Sequence, residues 1–198
     1  MTSARRVTGG RICPTSIGGA LSIGTPDPDA PLEAAVGDTV VYAAHGVGRV
    51  VAREHKLVAG IERDSVVLEL AGGLRITLSL DDAAGRLRSV ADERELEAVR
   101  RTLASESNGR DEPWTKRMKE SKAKLASGRA TELAELVREG GRFERSGTGS
   151  RPSDGEQRVY RQARQLLVLE ICSARGLEED EAEAWIEAQT APPQEERG

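Results

Sequence analysis

Aromatic residues make up only 3% of this 198-residue chain, and the hydrophobic fraction is 37%. That supply is too thin for one large layered core and points to two modest cores with flexible ends. The two cysteines, Cys13 and Cys172, lie far apart and form no CxxC or Cys/His cluster. A disulfide framework and a structural zinc are thereby set aside, and a reduced, cytoplasmic setting is the default. No apolar run approaches the roughly 20 residues that span a bilayer. Arg5, Arg6 and Arg11 precede only the short, glycine-rich "SIGGALSIG", which is no signal-peptide core. Histidine occurs twice, at His45 and His55, and no nucleophile–base pair, carboxylate cleft or metal cluster assembles around either. The expectation is a soluble protein without catalytic activity, cofactor or metal.

The net charge of −4 hides a partition. Residues 110–164 hold 14 Lys/Arg against 9 Asp/Glu, whereas residue 165 to the end holds 2 against 9. A basic middle section thus precedes an acidic tail, and the sum conceals a candidate surface for a polyanion.

Residues 1–35 are rich in Gly, Pro, Ser and Thr without helical or strand period, and read as a disordered leader. From Val36 the texture changes to "DTVVYAA", "GRVVAREHKLV", "DSVVLELAG" and "LRITLSL", Val/Ile/Leu/Thr-rich segments separated by turn chemistry. Alternation puts Leu74, Ile76, Leu78 and Leu80 on one side and Arg75, Thr77 and Ser79 on the other. Four or five antiparallel strands in residues 36–90 predict a small, strongly bent sheet or barrel. The remainder, residues 91–189, reads as a compact helical domain. Asp92 followed by Glu95 has capping-box spacing, and a second helix starts near Pro113 and stops at Ser127-Gly128. A third is expected to end at Gly140-Gly141. Ser153 and Glu156 open a fourth that stops at Gly176, and a last acidic helix carries Trp185, ahead of a frayed tail over 190–198. The fold class is therefore α+β.

The stretch "DEPWTKRMKESKAKLASG" is the sharpest signal. Trp114 stands at the mouth of a helix that continues with Lys116, Arg117, Lys119, Lys122 and Lys124. Positive charge at that spacing can hold phosphates, with counterion release on binding. The same lysines, interleaved with Glu120, also fit an ordinary solvated face. Trp114 itself fits either a packing anchor or an apolar wedge that unstacks a base step from the minor groove.

Several blocks taken together resemble one family. "VGDTVVYAAHGVGRVVAREHKLVAG", "LRITLSL", "LRSV", "WTKRMKESKAKLASG" and "SDGEQRVYRQARQLLVLEI" appear in the order found in the CarD/CdnL family of bacterial transcription factors, and cover nearly all of residues 36–175. The resemblance implies a Tudor-like N-terminal small β-barrel that docks on the RNA polymerase β subunit, partly by strand addition at an exposed edge. It further implies a helical domain that contacts promoter DNA in the minor groove at the upstream edge of the transcription bubble. Trp114 falls on the family's wedging tryptophan, and Lys116, Arg117 and Lys119 on its basic neighbours. Lys56 falls on a polymerase-facing basic position. Thr77 stands where some members carry another, with Arg75 on the same face as a substitute. Met118 replaces a frequent aromatic beside the wedge. The implied protein is a monomeric open-complex stabiliser; a scaffold that binds polymerase or another protein without wedging DNA is the alternative.

Overall fold

A computed structural model describes residues 34–43, 45–58, 61–106, 113–146 and 152–190; the leader before residue 34 and the tail after 190 lie outside the described residues. Five strands form an antiparallel sheet: β1 (Thr39–Tyr42), β2 (Gly46–Val58), β3 (Ile61–Leu70), β4 (Arg75–Ser79) and β5 (Leu87–Ser89), in the order β4-β3-β2-β1-β5. The sheet is open, with β4 and β5 at its two edges, so of the expected bent sheet or barrel it is the sheet that forms. Its long central hairpin shifts register between Val50 and Ala52, a bulge that increases local twist. Alternation works as predicted on β4, where Leu78 is buried and Arg75 and Thr77 are exposed. It ends one residue early, because the Ser79 hydroxyl accepts from the Asp82 N–H at 3.1 Å and caps helix α1 (Leu80–Arg86). Leu80 is thus helical, and α1 carries the chain from one sheet edge to the other.

The helical half comprises α2 (Glu93–Ala104), α3 (Trp114–Ser127), α4 (Ala130–Ser146), α5 (Asp154–Arg175) and α6 (Glu179–Thr190). Its core gathers Leu96, Val99, Leu103, Leu133, Leu136, Leu167, Ile171 and Ile186; the sheet has a separate core around Val40, Val50, Val66 and Leu68. Two modest cores, as the composition demanded, replace one large one. Asp92 caps α2 through the Glu95 N–H, and Gly128 (φ +64°) and Gly176 (φ +66°) end α3 and α5 in the left-handed conformation.

One expected stop is wrong. Helix α4 runs straight through Gly140 and Gly141 to Ser146. A Cβ at Gly140 would sit 2.9 Å from Cβ of Tyr160, so this glycine permits close approach of α5 instead of ending α4.

Candidate functional site

Helix α3 begins without a side-chain cap: Pro113 stands at the N-cap, and the first turn contains no acidic residue. Its leading amides and dipole therefore add to the positive character of the lysines that follow. Helix α5 begins beside it under a complete capping box. The Ser153 hydroxyl accepts from the Glu156 N–H at 3.3 Å, and the Ser153 N–H donates to the Glu156 carboxylate at 2.9 Å.

That second cap reaches across to the first helix. The Trp114 indole Nε1–H donates to Ser153 Oγ at 3.2 Å, and Arg117 lies 3.3 Å from the Glu156 carboxylate. Glu156 is only 3% exposed, and its ionised form survives burial because Ser153 and Arg117 surround it with donors. Burial alone would raise its pKa; hydrogen bonds from the Ser153 N–H and hydroxyl, then from Arg117, outweigh this and hold it below the usual value. Trp114 and Arg117, three apart, occupy one side of α3, and each is tied to the start of α5. The indole nevertheless remains 49% exposed. A large apolar ring is thereby oriented through its edge and offered to solvent over its face.

The basic residues divide into two groups. Lys116 and Lys119 are exposed on α3, as is Lys122; Lys116 has Glu120 at 3.9 Å. Lys124, expected to extend the ridge, instead turns inward, 2.7 Å from Glu135 and 3.8 Å from Glu139, and joins α3 to α4. Met118 is also internal. It is 7% exposed, and its methyl would lie 3.2 Å from a Cβ at Gly155, so it packs beneath the start of α5 and is not on the surface beside Trp114.

On the sheet, Arg75 and Thr77 are exposed on the edge strand β4. The Arg75 guanidinium pairs with Glu69 of β3 at 2.9 Å. Lys56 lies in β2, opposite Arg63 in β3; its side chain is outside the described residues. Thr77 is opposite Val67. Arg63 and Val67 are four residues apart on β3, so Lys56 and Thr77 are offset by roughly 14 Å along the strands. The structure therefore spreads these positions over a sheet surface and does not gather them into one pocket. Beyond Lys56, Leu57 and Ile61 stand 70% and 58% exposed at the hairpin tip, apolar neighbours that the charge-based reading passed over.

Ser153 and Glu156 are readable as a capping box, but their hold on Trp114 spans 39 residues and has no local signature. His45 stacks on Tyr42 with ring centroids 4.6 Å apart. Among the described residues, no group of three His, Cys, Asp or Glu side chains is placed to hold a metal, and no helix is long and apolar enough to cross a membrane.

The described residues thus comprise a five-stranded antiparallel sheet and a helical domain that leaves Trp114 half exposed. Residues 35–91 match the family model for the CarD-like/TRCF RID domain, and residues 98–187 match that for the CarD C-terminal domain. The chain belongs to the CarD family, whose domains are those of non-enzymatic, RNA polymerase-interacting factors.

Proposed function

We propose that this protein stabilises promoter open complexes: its sheet docks on the polymerase β subunit through the β4 edge and Lys56, and Trp114 wedges into the minor groove at the upstream edge of the bubble. The observation that carries this reading is the half-exposed Trp114, fixed by Ser153 and flanked by Lys116 and Lys119. Its N–H bond to Ser153 biases the indole toward one orientation, and the exposed half of the ring offers an unstacked base step an apolar surface. Lys116 and Lys119 reach phosphates, while Arg117 sets the indole's position from below through Glu156.

The effect is thermodynamic. A factor that binds the open complex better than the closed one shifts the equilibrium by that difference in affinity and no more. About 1.4 kcal/mol of preference gives a tenfold shift. Docking on polymerase supplies high effective concentration, so an acidic protein with weak affinity for free DNA suffices.

The test is the lifetime of a promoter open complex after competitor challenge, with no factor, wild type, and Trp114→Ala. Wild type lengthens the lifetime and the variant, still bound to polymerase, does not. An unchanged lifetime with wild type bound to polymerase would establish the scaffold reading in its place.

A further inference from the structure

Sheet and helices meet at one buried ion pair. Arg88, on the edge strand β5, sends Nη1 to one oxygen of Glu170 at 2.5 Å and Nη2 to the other at 2.8 Å. Glu170 is 1% exposed in the C-terminal half of α5, and it also accepts the Ala91 N–H at 3.1 Å, from the connection between β5 and α2. The same guanidinium donates from Nη1 to the Ser89 carbonyl at 3.0 Å and from Nη2 to the Gly128 carbonyl. All four terminal N–H groups of Arg88 are thus used in a forked geometry that Lys cannot reproduce. The Gly128 carbonyl is the C-terminal cap position of α3, where cationic donors complement the helix dipole. A second contact reinforces the joint: a Cβ at Gly46, in the β1–β2 turn at φ +91°, would lie 3.1 Å from a Leu166 methyl of α5.

Helix α3 is therefore held at both ends by different partners. Ser153 and Glu156 of α5 hold its Trp114 end, and Arg88 of the sheet holds its Gly128 end. Its 14 residues span about 21 Å, so a tilt of about 10° at the Gly128 end would carry Trp114 roughly 4 Å, more than the thickness of a base. A wedge delivered by a docked domain works only if this lever is fixed.

We infer that Arg88, gripping Glu170 and the Gly128 carbonyl, is a positioning residue that fixes the docking sheet relative to the wedge helix, so that docking on polymerase sets where Trp114 meets DNA. The inference rests on the proposed open-complex function for its purpose, and on the ion-pair geometry for its mechanism. A buried pair of this kind commonly contributes less to stability than apolar residues of similar volume would, and its value lies in the geometry it imposes.

The test uses the full-length chain with Arg88→Met and Glu170→Leu combined, which removes the pair without leaving a lone buried charge. Spin labels at Ala84→Cys in α1 and Ala126→Cys in α3, on a Cys13→Ser background, report the distance distribution between the two domains. The double variant is expected to melt cooperatively and bind polymerase like wild type. Its inter-domain distance distribution broadens, and it loses most of the lifetime extension that wild type confers. A purely structural pair would lower the melting midpoint and leave distances and lifetime together unchanged. A distribution as narrow as wild type's overturns the inference, and so does a broad one with full lifetime extension. Arg88→Lys keeps the charge and loses the fork; it gives an intermediate width even if the double variant fails to fold, and a wild-type width for Arg88→Lys counts against the clamp. If wild type itself leaves lifetimes unchanged, the proposed function fails, and the distance measurement still decides whether Arg88 fixes the domains.

Discussion

The start of α3 and the middle of α6 each carry a tryptophan, and the two stand in opposite surroundings. Trp185 is half-buried against the helical core, with the Arg175 guanidinium 4.9 Å above its ring and Arg175 in turn paired with Glu93 of α2 at 2.8 Å. Trp114 donates its N–H to Ser153 and leaves about half its surface in solvent. Residue type is the same; the difference lies in what the fold sets around each. A ring covered by a cation and packed on a core joins helices, whereas a ring oriented but uncovered is available to a partner.

The sharpest way to break this contrast is to remove each ring. Trp114→Ala abolishes the lifetime extension of open complexes and lowers stability by only about 1 kcal/mol, because half of the ring is already in solvent and its one hydrogen bond is exposed. Trp185→Ala does the reverse, costing about 2 kcal/mol of stability, less than full truncation of a buried Trp, and its lifetime effect at temperatures well below melting stays that of wild type. In Trp185→Phe, emission from Trp114 is quenched readily by a soluble quencher; resistance to quenching would place Trp114 in the core with Trp185.

A smaller effect is expected from the frame beneath the wedge. Glu156→Gln removes the charge that binds Arg117 while its amide oxygen still accepts the Ser153 N–H, at a cost on the order of 1–2 kcal/mol. Because the folded-state pKa of Glu156 is lowered from 4.5, its contribution is present above that value and disappears as pH falls through the folded one. The melting gap between wild type and Glu156→Gln therefore stays open at neutral pH and closes on acidification. A gap that widens in acid would reverse the assigned sign. Gly140→Ala tests the helix contact on which α5 rests: helix propensity gains about 1 kcal/mol, overpacking against Tyr160 costs about 1–3 kcal/mol, and a modest net loss of stability results. The smallest change is Lys119→Ala, which lowers the salt slope of factor-dependent promoter binding by about 1, with no preference among promoter sequences.

The sheet and the helices were not equally legible. Period-two alternation in "LRITLSL" located β4 and put Arg75 and Thr77 on its exposed side, because a strand's side chains alternate whatever packs on it. Caps at Asp92, Ser153, Gly128 and Gly176 are local chemistry and were read correctly from a few residues each. Gly140-Gly141 misled for the same reason: a glycine that ends a helix and one that admits a neighbouring helix look identical in sequence. Ser79 concealed α1, since "SLDD" continues an alternating pattern while also being a helix start.

The charge pattern around Trp114 shows the limit most clearly. Lys116, Arg117, Lys119, Lys122 and Lys124 form one basic run in sequence, and the fold divides it by helical angle into exposed lysines and two inward cations, Arg117 on Glu156 and Lys124 on Glu135. Nothing within α3 announces which carboxylates will face it. The sequence by itself determined the α+β class, the caps at Asp92, Ser153, Gly128 and Gly176 and the family blocks, because these depend on spacing and local backbone chemistry. Only the tertiary structure decided that Ser153 orients Trp114 and that Arg88 joins the sheet to Glu170 and Gly128, because those partners lie 39, 82 and 40 residues away and meet only when separate elements pack.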